Sequence, residues 1–264
     1  MMRRNLLFYP EEQSPMNKIP TSAAVLCAFL SAGAQAADLT VSAAASLGNA
    51  FKEIAAQYGQ KNPHVKIRLN TAGSGVLLQQ MVRGAPVDVV AFADQETMRQ
   101  ALAKNAVDAK THKTFALNSL VVAAPANSPH TLGRLNGLAS PAFGRIALGN
   151  PNGVPAGRYA KAALEKAGVW TAVQPKAVIT QNVRQSLDYI ARGEVDAGFV
   201  YRTDALLMKN KVKILHTVAT TEPVRYPIAV AAQSKNKAEA QRFADYVLSA
   251  HGQNVLAKYG FRKP

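Results

Sequence analysis

"NPNGVPAGRYAKAALEKAG", residues 150–168, changes within six residues from turn-forming residues to an amphipathic helix. It follows the apolar run "GRIALGNP" at 144–151 and precedes a second one, "KAVITQ" at 176–181. Two short apolar segments on either side of one helix predict a strand, a crossover helix and a second strand parallel to the first. The same alternation continues along the rest of the chain, so the sequence predicts an α/β protein.

The middle of the chain lies between two apolar segments that each contain a proline. They are "NSLVVAAP" at 118–125 and "VRYPIAVAAQ" at 224–233. If each passes from one lobe to the other, residues 38–119 and 226–264 form lobe 1 and residues 120–225 form lobe 2. Two lobes joined by two strands make a hinge and a cleft. We therefore expect a two-lobed fold in which each lobe is a mixed, mostly parallel sheet flanked by helices, with a last helical segment broken near Gly252.

The N-terminal residues 1–36 have the pattern of an extension followed by a cleavable signal peptide. Lys18 precedes the apolar run "TSAAVLCAFLSAGAQA", which ends on a small-residue cleavage pattern at Ala36. A membrane anchor is the alternative, but the apolar part is shorter than the roughly 20 residues that a bilayer needs. Met16 is a second candidate start. Export to the periplasm would remove Cys27, the only cysteine, and with it any disulfide or thiolate metal site.

The charge of the chain after residue 36 is +14, from 28 basic and 14 acidic residues. A nucleic-acid-binding protein would concentrate that charge in a patch, with aromatic residues among the basic ones. Here lysines and arginines are scattered evenly along the sequence. We expect a monomer that binds no nucleic acid, and whose charge suits a small anion.

Two predicted helices begin with backbone amides that no side chain caps. Pro155 stands at a first helical position, where its missing N–H costs nothing, and the amide of Ala156 is left at the positive end of the helix dipole. A second helix starts near Asn182 and leaves the amide of Val183 similarly free. These amides are candidate anion donors.

Three hydroxyl groups occupy equivalent strand-to-helix junctions. Ser46 and Ser74 stand at helix starts, Ser74 between Gly73 and Gly75, and Tyr201 ends a buried strand. Ligands of open α/β sheets gather at such junctions. The serines could instead be plain N-caps, the glycines could allow a tight turn, and Tyr201 could be a packed strand residue whose hydroxyl reaches solvent or backbone. Taken together, the junctions offer only donors, which suits a fully ionised anion.

Several segments carry a resemblance to a known family, the periplasmic molybdate-binding proteins of ABC importers (ModA type), in that family's order and spacing. They are "AAASLGNAFKEIA", "GAPVDVVAFADQ", "NSLVVAAP", "VPAGRYAKAAL", "NVRQSL", "VYRTDA" and "YPIAV". The resemblance covers residues 38–264. It implies a type II periplasmic-binding-protein fold, molybdate or tungstate as ligand, delivery to a membrane ABC permease, and no cofactor.

The resemblance also implies the residues that hold the oxyanion, without direct metal ligands. They are the hydroxyls of Ser46, Ser74 and Tyr201 and the amides of Ala156 and Val183. Some neighbours depart from the family. Gly73 and Gly75 replace common hydroxyl residues, so fewer spare donors surround Ser74. Arg158 and Arg202 stand where uncharged residues are expected. As a hypothesis, either arginine adds charge near the rim and relaxes selectivity, and the alternative is a solvated side chain.

Other function classes find little support in the residues. A serine hydrolase at "AGSGV" lacks the Gly-x-Ser-x-Gly elbow, and the phosphate-binding loop motif is missing. The histidines lie outside the junctions, so we expect no enzyme: His64, His112, His130, His216 and His251. The nearest alternative is a solute-binding protein of the same fold for sulfate, thiosulfate or an organic anion.

Overall fold

The computed structural model describes residues 37–264, together with Leu7 and Pro10. The predicted signal peptide therefore lies outside the described residues. The described chain contains two five-stranded sheets with α-helices packed on them. Among these helices none is long and apolar enough to cross a membrane.

The first sheet carries lobe 1 and has the strand order β2-β1-β3-β10-β4. Its strands are β1 (Ala37–Ala44), β2 (Val65–Ala72), β3 (Val89–Ala91), β4 (Lys113–Asn118) and β10 (Val224–Val230). Strand β1 pairs in parallel with β2 and β3, whereas β10 is antiparallel to both β3 and β4. The sheet is thus mixed.

The second sheet carries lobe 2 and has the order β7-β6-β8-β5-β9. Its strands are β5 (Leu120–Pro125), β6 (Ile146–Gly149), β7 (Ala177–Thr180), β8 (Ala197–Tyr201) and β9 (Val212–Thr217). Strand β6 is parallel to β7 and β8, and β5 is antiparallel to β8 and β9. Both lobes therefore share one plan, a parallel three-strand unit extended by antiparallel strands, and the predicted two-lobed α/β fold is confirmed.

The helices follow the apolar periodicity of the sequence. In the first helix Phe51, Ile54 and Tyr58 are buried, at the spacing of one helical face. The helices are α1 (Gly48–Lys61), α2 (Ser74–Val82), α3 (Gln95–Ala103), α4 (Pro155–Lys166), α5 (Trp170–Val173), α6 (Val183–Ala191), α7 (Arg202–Leu207), α8 (Lys237–Leu248) and α9 (Ala250–Lys258).

The chain passes between the sheets twice. Strands β4 and β5 are separated only by Ser119, and the return runs through residues 218–223. Val224 and Arg225 pair with β4 and so belong to the first sheet. The sequence boundaries predicted for the lobes lie close to these passages and stay a prediction.

The break in the C-terminal helical segment lies at Ser249, three residues before the predicted position. Ser249 accepts a hydrogen bond from the amide of Gly252 at 3.5 Å and caps α9. Gly252 serves a different purpose, because a Cβ there would lie 2.5 Å from the carbonyl oxygens of Tyr246 and Val247. The glycine allows the two helices to approach, and the serine starts the second one.

Candidate functional site

A small cavity of about 10 Å³ lies between the lobes. It is smaller than the roughly 300–1,000 Å³ of pockets for drug-sized ligands, so it suits a compact ion. Its lining comprises Ala44, Ala45, Ser46, Ala72, Gly73, Ser74, Ala93, Val154, Pro155, Ala156, Asn182, Val183 and Tyr201. All five residues predicted for the site are among them. No charged side chain and no histidine belongs to this described lining.

Ser74 is the first residue of α2 and is fully buried. Its hydroxyl oxygen accepts a hydrogen bond from the amide of Ala93 at 3.0 Å. Gly73 occupies the N-cap position, so the interpretation of Ser74 as a plain N-cap was wrong. Because the oxygen accepts from the protein, the hydroxyl proton of Ser74 is available to a ligand in the cavity.

Ser46 lies in a 3₁₀ turn, Ala45–Leu47, just before α1, whose N-cap is Leu47. The hydroxyls of Ser46 and Tyr226 are 3.0 Å apart. Asn118 donates to the Tyr226 oxygen at 3.3 Å, and in the contact between Ser46 and Tyr226 either hydroxyl can be the donor. Where the phenol is the donor, Ser46 keeps its proton for the cavity. Burial raises the pKa of Tyr226 well above its ordinary value, so this donor is stable at neutral pH.

The amides of Ala156 and Val183 face the cavity from two helix N-termini. Helix α4 begins at Pro155 without a side-chain cap, as predicted, and the Gly157 amide donates to Val154. At α6 the side chain of Asn182 accepts from the amides of Arg184 and Gln185 and passes over the amide of Val183. Within the described residues neither Ala156 nor Val183 has an acceptor for its N–H. Both amides, each at the positive end of a helix dipole, are free for an anion.

Tyr201 ends β8 with its side chain 1% exposed. Its hydroxyl lines the cavity and donates to the carbonyl oxygen of Ala93 at 3.3 Å, which is long for an O–H donor. The alternative in which this hydroxyl finds a backbone partner is therefore realised, and a ligand would have to compete for the proton. Burial holds the pKa of Tyr201 well above its ordinary value, so the phenol remains a donor.

The ion pair of Asp204 and Arg184 lies next to the cavity lining without being part of it. The sequence did not predict this pair. Asp204, fully buried, accepts from the amide of Tyr201 at 3.1 Å and lies 2.8 Å from Nε of Arg184. Burial raises the pKa of the Asp204 carboxyl, and the charge of Arg184 opposes that rise. Arg184 also donates to the carbonyl of Ser46 at 3.1 Å and to Asn49 at 2.9 Å. The pair thus ties the two lobes together and keeps charge out of the lining.

Gly73 and Gly75 allow the lobes to touch through their backbones. The Gly75 amide donates to the carbonyl of Gly153, in lobe 2, at 2.9 Å. A Cβ on Gly75 would lie 2.7 Å from that oxygen, and one on Gly73 2.8 Å from the carbonyl of Gln181. Neither glycine has a positive φ, so the tight-turn explanation was wrong. Glycine is needed at both positions because the backbone of the other lobe approaches closely there.

The two arginines that depart from the family behave differently. Arg202 is exposed, as the solvated alternative expects. Arg158 is neither a free rim charge nor solvated, because it forms an ion pair with Asp94 at 2.6 Å and its side chain is 22% exposed. The hypothesis that Arg158 adds charge to the site was therefore wrong, since the carboxylate neutralises it.

Metal-binding clusters are missing from the part of the chain that the structure describes. It holds no group of three or more histidine, cysteine, aspartate or glutamate side chains that could bind a metal ion. None of the five histidines lines the cavity. The lining combines hydroxyl groups with helix N-terminal amides from both lobes, groups that can donate hydrogen bonds.

Comparison with known proteins places this site in context. Residues 39–262 match the family described as bacterial extracellular solute-binding protein. The molybdate-binding protein ModA of Escherichia coli (strain K12) is 38% identical over 248 residues, covering 88% of this chain and 93% of that protein.

Two solved structures share the fold. The periplasmic molybdate-binding protein of Azotobacter vinelandii has a TM-score of 0.75 at 22% identity, over 86% of this chain and 99% of that one. The sulfate-binding protein SubI from Mycobacterium tuberculosis H37Rv has a TM-score of 0.75 at 17% identity, over 86% and 87%. At these identities the two structures support the fold alone.

Proposed function

The chain belongs to the bacterial extracellular solute-binding protein family, within its ModA type, and we propose that it is a periplasmic carrier of molybdate and tungstate. It captures the oxyanion in the cleft between its lobes and delivers it to a membrane ABC permease. The hydroxyls of Ser46, Ser74 and Tyr201 and the amides of Ala156 and Val183 hold the ion.

The observation that carries this proposal is a lining of described residues without charged side chains, in which the two lobes together supply hydroxyl groups and uncapped helix amides. A buried dianion needs its water shell replaced, because an unpaired buried charge is very unfavourable. Hydrogen bonds to a charged group contribute about 1.5–3 kcal/mol each, and each helix dipole adds about 0.3–1 kcal/mol. Five donors and two dipoles supply a large part of that replacement without a counter-charge.

Two features favour a large, fully ionised oxyanion. Among the described residues, the lining contains no carboxylate to accept a proton from hydrogen phosphate. The amides of Ala156 and Val183 are fixed by their helices. Sulfate is a smaller ion, so its oxygens would lie farther from these amides and form longer, less well aligned hydrogen bonds. Sulfate is nevertheless the second candidate, because a sulfate-binding protein shares this fold.

Titration calorimetry with molybdate, tungstate, sulfate and phosphate at physiological salt tests the proposal. We expect tight one-to-one binding of the first two and far weaker binding of the others. Ser74→Ala should weaken binding, whereas the exposed Ser140→Ala should not. Tighter binding of sulfate than of molybdate would instead support the second candidate, a sulfate-binding protein. An esterase activity that is lost in Ser74→Ala would indicate a hydrolase.

A further inference from the structure

Arg158 joins the two lobes beside the cavity. It lies on α4, two residues after Ala156, and its guanidinium reaches lobe 1. Nη2 and Nε lie 2.6 Å and 2.8 Å from Oδ2 of Asp94, and Nη2 donates to the hydroxyl of Thr97 at 2.7 Å. Several charge-assisted hydrogen bonds to one carboxylate and one hydroxyl fix the relative position of two elements more firmly than a point contact does.

The partner of Arg158 is itself held rigidly. Asp94 follows Ala93 of the cavity lining and caps α3, its Oδ1 accepting from the amide of Thr97 at 3.1 Å. Its Oδ2 is left for Arg158. The helix cap thus aims the second carboxylate oxygen across the cleft.

The Arg158–Asp94 pair is largely removed from water. The two side chains are 22% and 5% exposed, against 58% and 41% for the pair of Arg99 and Glu96 on the neighbouring surface. Exposed pairs contribute little because water screens them, whereas removing one partner of a desolvated, hydrogen-bonded pair mainly accelerates dissociation. The pair is also neutral overall, and Arg158 does not line the cavity.

We propose that Arg158 is a positioning residue that latches lobe 2 onto Asp94 and Thr97 of lobe 1, so that it stabilises the closed lobes and slows release of the bound oxyanion. The effect on release rests on the proposed function. The effect on closure does not, because the latch contacts protein only.

Release of radiolabelled molybdate after a chase with unlabelled molybdate tests the latch. Arg158→Gln keeps most of the side-chain length but removes the charge, and we expect release about tenfold faster with a nearly unchanged association rate. Asp94→Asn retains a capping oxygen for α3 and should accelerate release similarly. Both substitutions break the same contact, the one between Arg158 and Asp94. The double variant should therefore release molybdate no faster than the faster of the two single variants.

Arg99→Gln is the matched control, since it removes an exposed ion pair on α3 and should leave release unchanged. Thermal unfolding of each variant separates a latch from a merely structural residue, because a latch changes release with little change in the melting temperature. A release rate for Arg158→Gln within twofold of the unaltered protein would overturn the effect on release.

Hydrogen exchange of the Gly75 amide supplies a readout that needs no ligand. This amide is protected by the carbonyl of Gly153 only while the lobes are closed. We expect exchange about tenfold faster in Arg158→Gln than in the unaltered protein, and no change in Arg99→Gln. If the unaltered protein binds no oxyanion, the proposed function fails and this exchange alone decides the latch. Equal exchange at Gly75 in the two proteins would overturn it.

Discussion

At the residue scale, Ser74 performs two tasks with one hydroxyl group. Its oxygen accepts from the buried amide of Ala93, which leaves its proton available to the cavity. Ser74→Ala removes a ligand donor and leaves that amide unpaired, each worth about 1–3 kcal/mol. We expect the affinity for molybdate to fall about 10- to 100-fold, with a lowered melting temperature. Calorimetry and thermal unfolding measure the two effects, and unchanged affinity would exclude Ser74 from the site.

Tyr226 does not line the cavity, yet its hydroxyl lies 3.0 Å from that of Ser46, and we expect the phenol to be the donor in this contact. Tyr226→Phe keeps the buried ring and removes the hydroxyl that contacts Ser46. The serine can then give its proton away from the cavity, so we expect a loss of affinity of up to about tenfold, the effect of one hydrogen bond of about 0.5–1.5 kcal/mol. Tyr246→Phe, which removes a hydroxyl far from the cavity, is the control. Equal affinities in both variants would contradict this role.

These residues differ in whether their role can be predicted from the sequence. Ser74 and Ala156 are visible because a helix start is a local pattern of few residues. Tyr226 lies 180 residues from Ser46, and Arg184 lies 138 residues from the carbonyl it contacts. No periodicity or spacing records a contact of that kind, since only the packed lobes create it. The residues that line the cavity were therefore predictable, and the distant groups that contact them were not.

At the element scale, the start of α2 is shaped by the loop that faces it. A Cβ on Gly75 would lie 2.7 Å from the carbonyl oxygen of Gly153, which is backbone and cannot move alone. Gly75→Ala should hold the lobes apart and lower the affinity at least tenfold, with little change in stability. Gly153→Ala is a matched control, because nothing lies within 4 Å of a Cβ there. Calorimetry on both variants decides, and equal affinities would show that closure tolerates the methyl group.

Strand pairing is the other feature of this scale that the sequence does not contain. The apolar run around Tyr226 predicts a strand, but not that β10 lies between β3 and β4 and runs antiparallel to both. A strand's apolar pattern fixes which face is buried and leaves its neighbours open. The inserted strand brings Tyr226 to Ser46, so the topology completes the site.

At the scale of the whole molecule, the proposed donors are divided between the lobes, so a bound oxyanion would itself favour closure. Ser46 and Ser74 belong to lobe 1, and Ala156, Val183 and Tyr201 to lobe 2. A ligand that binds the closed form better shifts the population toward it by its difference in affinity. The positive charge of the chain would raise the rate at which the proposed anion arrives, without any charged side chain lining the described cavity. Under the proposed function, capture and selectivity thus depend on different parts of the protein.

The pH dependence of binding tests whether the donors are neutral throughout the molecule's working range. Burial raises the pKa of both Tyr201 and Tyr226 well above the ordinary value of a phenol. Ionisation would remove a donor and add a negative charge, which weakens anion binding, and the raised pKa moves that loss to pH above about 10. We expect the dissociation constant for molybdate to stay constant from pH 7 to pH 9.5 in calorimetry, with thermal unfolding confirming that the protein remains folded. A steady weakening of binding across that range would mean that a titrating group, such as an unrecognised lysine, contacts the anion.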